Sequence, residues 1–230
     1  MDFSFLNHAI NVWHVSTGDN AVLFELCKNA LTAKELERVS FFKFKKVQDN
    51  YVFSQGTLRL LLSQYLNIPP REVQIGRLKK GKPYSIDNPN LRFNISNSGS
   101  KIIYGFSFDE ELGIDLERIR PLSDLDNLIN RNFNSYERAY IAGLKDKKEN
   151  RFFKFWTIKE AYLKAIGVGM RLTPDKLEFS IENGNFRLES IQGVNETEDW
   201  IFKDLDCGDN YRGTLVHRND EMNILEMSIV

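Results

Sequence analysis

Four residues of this 230-residue chain have types and spacing that could do chemistry: Asp115 and Glu117, two apart, and Glu160 and Lys164, four apart. The first pair lies in Gly113-Ile114-Asp115-Leu116-Glu117, which alternates as a strand, so both carboxylates project from one face and Ile114 and Leu116 from the other. Like charges side by side repel. A bound cation is one relief, and the commoner outcome is that both face water. The second pair lies in Phe152 to Met170, whose first fifteen residues read as a helix with Phe152, Phe155, Trp156, Leu163 and Ile166 near one apolar stripe. Gly167 and Gly169 end it. Residues four apart share a helix face, and an ordinary surface ion pair is the plain reading. The aromatic density around this pair instead predicts a half-buried helix, where charge is costly to place.

These groups need elements to hold them. Leu91 to Ser98 alternates as a strand, Phe93 and Ile95 against Asn94 and Ser96, and Lys101 to Phe108 reads as its partner beyond the Ser98-Gly99-Ser100 break. Upstream, Ile10 to Val15 and Ala21 to Leu26 are short apolar runs, with Trp13 a candidate core anchor. Thr32 and Glu35 have capping-box spacing, followed by a helical run through Leu36, Val39, Phe42 and Phe44. Lys43, Lys45 and Lys46 then read either as a solvated face or as an anion site. Tyr51 to Leu66 is an apolar helix ending before Pro69-Pro70, and Arg59 within it needs a partner if buried. Glu72 to Ile75 reads as a short strand. Lys79-Lys80-Gly81-Lys82-Pro83 is a basic turn suited to a phosphate or an adenine edge.

Beyond the Asp-x-Glu strand, Leu122 to Asn130 and Ser135 to Leu144 read as helices, the second opened by Ser135 and Glu137, and residues 145–151 as a solvated loop. Five strands are predicted after the central helix: Leu177 to Ile181, Asn185 to Glu189, Trp200 to Leu205, Tyr211 to Val216 and Asn223 to Ile229, with turns at Gly184, Gly208 and Asn219. The expected class is α+β. Two similar α+β halves, 1–110 and 111–230, follow from this order.

Composition excludes several classes of function. Thirty-one Lys and Arg against 32 Asp and Glu leave a net charge of -1, which removes any global charge argument for nucleic acid. Cys27 and Cys207 stand far apart in no metal spacing and read as core thiols of a reducing cytoplasm. His8, His14 and His217 match no metal or triad spacing and read as structural. No signal peptide is evident, and no apolar run reaches the ~18 residues of a membrane span. The expectation is a cytoplasmic protein.

Taken together, Gly113 to Glu117 and, some forty residues on, Phe155-Trp156-Thr157-Ile158-Lys159-Glu160-Ala161-Tyr162-Leu163-Lys164 resemble the two signature motifs of 4'-phosphopantetheinyl transferases of the larger, monomeric type. Gly81-Lys82-Pro83 is similar to that family's Gly-Lys-Pro loop, and Phe93-Asn94-Ile95-Ser96-Asn97-Ser98 to its Phe-Asn-x-Ser-His-Ser segment. Ser54-Gln55-Gly56-Thr57-Leu58-Arg59 is similar to its Arg-containing helix. The chain departs from the pattern at Asn97, where the family usually has His, and at Gln55, where many members have Arg. The resemblance implies a pseudo-two-fold arrangement of the halves, with the active site at their interface. Nucleotide binding then falls to the first half and metal and pyrophosphate to the second.

It further implies transfer of the phosphopantetheine arm of coenzyme A to a serine of an acyl or peptidyl carrier protein, releasing adenosine 3',5'-bisphosphate. Mg2+, or Mn2+ in its place, would be held by Asp115, Glu117 and Glu160, a donor set of hard oxygens. Catalysis would fall to Glu160 as base, with Lys164 and Asp115. Coenzyme A would be held by Lys43, Lys46, Arg59, Gly81, Lys82, Pro83, Ser96, Asn97, Lys159 and Lys164, with Lys159 ranked below Lys164 because it points about 100° away from Glu160. Alternatives are a non-catalytic relative that binds coenzyme A or carrier, and a Mg2+-dependent phosphohydrolase. A carrier-docking surface is expected between the two motifs, where Leu122, Leu125, Leu128, Ile129 and Phe133 interleave with Arg118, Arg120 and Arg131, unless those apolar residues pack inward.

Overall fold

Strand, three helices, a small sheet and an antiparallel strand pair follow one another twice along the chain. The computed structural model describes residues 9–18, 20–143, 147–168, 172–182, 185–192, 194–195 and 199–229. The expectations placed on His8, Gly169, Gly184 and residues 144–146 lie outside these. The first round is β1 (Ala9–Ser16), α1 (Ala21–Ala30), α2 (Ala33–Ser40), α3 (Lys45–Leu66), the hairpin β2 (Ile75–Arg77) and β3 (Pro83–Ser85), then β4 (Leu91–Ser98) and β5 (Lys101–Phe108). The second is β6 (Gly113–Arg118), α4 (Leu125–Asn132), α5 (Ser135–Ala142), α6 (Lys148–Ala165), then β7 (Leu177–Glu182), β8 (Asn185–Ile191) and β9 (Val194–Asn195), and last β10 (Ile201–Leu205) and β11 (Tyr211–His217). In each round the first strand pairs antiparallel with the last, and the last with the one before it: β1-β5-β4 and β6-β11-β10. The α+β class and the paired halves are therefore properties of the fold. One strand crosses between them. β12 (Asn223–Ile229) returns to pair parallel with β1, from Ala9 opposite Asn223 to Val15 opposite Ile229, so the last strand of the chain completes the first sheet.

Local chemistry accounts for the helix starts. Thr32 and Glu35 form the capping box that opens α2, each side chain satisfying the other's backbone N–H. α5 begins at Ser135 as predicted, and its cap is Asn134, whose side chain accepts from Glu137 N while the Glu137 carboxylate accepts from Asn134 N. α2 stops at Ser40, leaving Phe41 and Phe44 exposed outside any helix. α3 and α6 both begin earlier than their apolar patterns do, at Lys45 and Lys148, because their first turns are polar and solvated. Gly167, with φ +64, ends α6 as expected.

The core has three parts. α3 packs Phe53, Leu58 and Leu62 on the first sheet, against Phe93, Tyr104 and Phe106. Ile10, Val12, Ile103, Ile114, Leu116 and Leu215 form a cluster shared by the two large sheets. The third surrounds α6, which is buried on far more than one stripe: Phe153, Ile158, Ala161, Tyr162 and Ala165 join the predicted residues inside. Leu125, Ile129 and Phe133 belong to this core, with Leu122 and Leu128 packed against it, so the proposed docking leucines point inward. Arg118, Arg120 and Arg131 remain exposed. No helix among the described residues is long and apolar enough to cross a membrane.

Arg59 has the partner its burial demanded. Its Nε donates to Glu35 Oε2 at 2.6 Å, and its Nη1 to the carbonyls of Pro70 at 2.8 Å and Val73 at 3.0 Å. This corrects two expectations at once. Arg59 is a structural brace and not a ligand-facing cation. With those two carbonyls committed to it, residues 70–72 turn, and the strand expected at Glu72 starts only at Ile75. Arg59→Leu leaves the Glu35 carboxylate without its cation and is expected to cost about 3 kcal/mol, read by urea unfolding. A loss below about 1 kcal/mol would contradict the brace.

Candidate active site

The site is built on the line where the two halves meet edge to side. β4 turns Asn94, Ser96 and Ser98, alternate residues and hence one face, toward β6. Asn94 Oδ1 accepts from Ile114 N at 3.1 Å, Ser96 Oγ donates to Asp115 Oδ1 at 2.9 Å, and Ser98 Oγ donates to Glu117 Oε2 at 2.8 Å. A single strand face thus orients both carboxylates of the Asp-x-Glu motif. Ser98 and Asn94 were not among the predicted site residues, although their alternation with Ser96 was the signal that could have found them.

α6 reaches the same carboxylates from the other side. It lies close over the start of β6 because Gly113 has no side chain there. Lys164 Nζ donates to Asp115 Oδ1 at 2.6 Å, to Ser96 Oγ at 2.9 Å and to the Ile114 carbonyl at 3.2 Å. Lys164 is therefore bound to Asp115 and does not stand free for an incoming anion. Asp115 is buried, and its second oxygen, Oδ2, has no hydrogen-bond partner. Burial pushes the Asp115 carboxyl above the usual range, opposed by Lys164 and Ser96. Glu160 is also raised, first by burial, then by the charge of Asp115, with Glu117 adding to it and Lys164 opposing.

A cavity of about 990 Å³ opens over this cluster and draws its walls from both halves. Asp115, Glu117, Glu160, Lys164, Ser96, Asn97, Gly81, Lys82 and Pro83 all line it, together with Gln55, Arg77, Lys80 and Trp156. Leu172, Thr173 and Pro174 close a further side, and no motif in the sequence marked them. Gly81, with φ +95, makes the hairpin turn that brings Lys82 in. Lys82 Nζ lies 2.7 Å from Glu111 Oε2 and 2.7 Å from the Ala165 carbonyl, so this lysine also ties the first half to the end of α6.

Three predicted residues besides Arg59 do not line the cavity. Lys43 and Lys46 are exposed away from it. Lys159 is fully buried against Glu137, because its position on α6 turns it into the core. Among the described residues no group of three or more His, Cys, Asp or Glu is already gathered to hold a metal ion. The donor chemistry nevertheless fits a hard cation: three carboxylates line one cavity, and a buried carboxylate oxygen there lacks any partner.

Residues 111–216 match the 4'-phosphopantetheinyl transferase superfamily model, and residues 13–105 match the 4'-phosphopantetheinyl transferase, N-terminal model. The chain belongs to this superfamily. It is 31% identical over 173 residues to 4'-phosphopantetheinyl transferase HetI of Nostoc sp., covering 74% of this chain and 73% of that one. It is 27% identical over 161 residues to 4'-phosphopantetheinyl transferase ffp of Bacillus subtilis, 69% of this chain and 70% of that one. With the human L-aminoadipate-semialdehyde dehydrogenase-phosphopantetheinyl transferase it shares 26% over 198 residues, 78% of this chain but 64% of the longer human protein.

Proposed function

We propose that this chain moves the 4'-phosphopantetheine arm of coenzyme A to a serine of an acyl or peptidyl carrier protein and releases adenosine 3',5'-bisphosphate. The observation that carries the reading is the shared cavity, which Asp115, Glu117, Glu160 and Lys164 line together with the Gly81-Lys82-Pro83 turn and the Ser96-Asn97 segment. Its size suits a long, anionic ligand. In the transfer, the serine oxygen forms a bond to the pantetheine-side phosphorus, the bond from that phosphorus to the bridging oxygen breaks, and the nucleotide departs with the electron pair. Such a reaction depends on positioning and on neutralising charge.

Glu160 is the base that takes the serine proton. A raised carboxyl suits that task better than an ordinary one, since its affinity for the proton is higher. Asp115 and Glu117, oriented by Ser96 and Ser98, would hold Mg2+ or Mn2+ together with Glu160. The ion would polarise the pyrophosphate as a Lewis acid. Lys164 neutralises Asp115 and so limits the negative charge that the pyrophosphate meets. The Lys82 turn closes the nucleotide end. Incubating the protein with coenzyme A, Mg2+ and a panel of fatty acid, polyketide and nonribosomal peptide carriers tests the reading by intact mass. One carrier gaining one phosphopantetheine is the expected result. No gain on any carrier, with coenzyme A cleaved or untouched, would overturn it.

The same site should show in stability. A carboxyl whose folded pKa is raised binds its proton more tightly in the folded chain. Its contribution is full below the unfolded value of about 4.3 and is lost as pH rises through the higher folded value. At neutral pH the ionised Glu160 is therefore a burden on the metal-free protein. Glu160→Gln is expected to raise the Tm in the presence of chelator at neutral pH, and to leave it unchanged where both states are protonated. Thermal unfolding across pH checks this, and a neutral-pH Tm equal to or below wild type contradicts it.

A further inference from the structure

Behind the cavity lies a charge pair that the chemistry does not use. Lys159 and Glu137 are both completely buried, with Lys159 Nζ 2.7 Å from Glu137 Oε2. The same ammonium donates to the carbonyls of Asn132 at 3.0 Å, Pro174 at 3.0 Å and Leu177 at 2.9 Å. Glu137 is held in turn: Phe179 N donates to its Oε1 at 3.0 Å and Asn134 N to its Oε2 at 2.9 Å. Four acceptors from three segments surround one nitrogen. Two of them, Pro174 and Leu177, stand at the start and just past the end of the 3-10 turn Pro174–Lys176, and that turn continues directly from the cavity wall made by Leu172, Thr173 and Pro174.

Stability alone is a weak reason for such a pair, because an apolar pair of similar volume often serves a buried site as well or better. What an apolar pair cannot do is collect carbonyls. An irregular segment has no ladder to fix its backbone, and a buried cation that binds it at both ends supplies the missing constraint. We infer that Lys159 is a positioning residue: by gathering the Pro174 and Leu177 carbonyls it locks the Leu172–Pro174 wall to the helix that carries Glu160, and so shapes the cavity for coenzyme A. The inference rests on the reading of that cavity as a coenzyme A site.

The test is the double variant Lys159→Met/Glu137→Met, which removes both charges together. Lys159→Met alone would strand a buried carboxylate. Calorimetry with coenzyme A should show Kd rising roughly tenfold or more, which is about 1.4 kcal/mol of lost binding. In steady state the KM for coenzyme A rises with it, while the KM for the carrier stays at the wild-type value. A purely structural role predicts a changed Tm with wild-type coenzyme A affinity, and that result would overturn the inference. Should the double variant not fold, hydrogen exchange on the wild-type protein decides: coenzyme A should protect the backbone amides of residues 172–178, apart from Pro174, and absence of protection overturns the inference. A wild-type protein that binds no coenzyme A would instead sink the functional reading itself.

Discussion

Asp115→Ala and Glu160→Gln are each expected to give a folded protein whose transfer rate at saturating coenzyme A and Mg2+ has fallen at least about a hundredfold, which is roughly 2.7 kcal/mol of lost transition-state stabilisation. The size follows from what each carboxylate does. Asp115 is where both halves converge: Ser96 from β4 and Lys164 from α6 bond to one oxygen, and the other oxygen has no hydrogen-bond partner. Removing it releases Lys164 from its place and, on the proposed reading, takes away a donor to the cation, whose Lewis-acid stabilisation would be worth several kcal/mol by itself. Glu160→Gln keeps the shape and loses both the negative charge and the basic oxygen. Ser98→Ala, which only frees the Glu117 side chain to move, should cost much less. Time courses of carrier modification followed by intact mass measure all three. Near-wild-type turnover of Asp115→Ala or Glu160→Gln would remove the carboxylates from the mechanism.

The second large effect is on folding. A Cβ on residue 113 would sit 1.9 Å from the Ala161 carbonyl oxygen and 2.5 Å from Ala165 N. These are backbone atoms of α6, so no side chain can swing aside to make room. Gly113→Ala must push the helix off the strand, with loss of the packing of Ala161 and Ala165 and of the buried Thr157–Thr214 hydrogen bond. Overpacking of a tight core costs about 1–3 kcal/mol and more where the neighbours cannot yield, so the upper end is expected here. Transfer should fall as well, because the displaced helix carries Glu160 and Lys164 away from Asp115. Urea unfolding gives the first quantity and carrier modification the second. A Gly113→Ala protein within about 0.5 kcal/mol of wild type would show that the close approach is unimportant.

Much of this protein was determined by local pattern. The strand carrying Asp115 and Glu117, the β4-β5 pair with its turn at Gly99, the α6 stop at Gly167 and the repeated order of elements are all consequences of period, caps and glycine positions, which act within a few residues. For the same reason the two carboxylates of β6 share a face, and Glu160 stands one turn before Lys164. What local pattern left open is the direction in which each charge points once helices and sheets are stacked. Lys159 and Glu160 are neighbours on one helix, yet the first is sealed in the core with Glu137 and the second lines the cavity. Arg59 was placed on the right helix, and only the fold brought Glu35 and the Pro70 and Val73 carbonyls to it. The leucines of residues 122–129 carry no mark that separates a core face from a docking face, because both are apolar stripes until a neighbour covers one. The parallel pairing of β12 with β1 joins strands more than two hundred residues apart. Such a contact depends on where the rest of the chain has already put both edges, and no short-range preference encodes it.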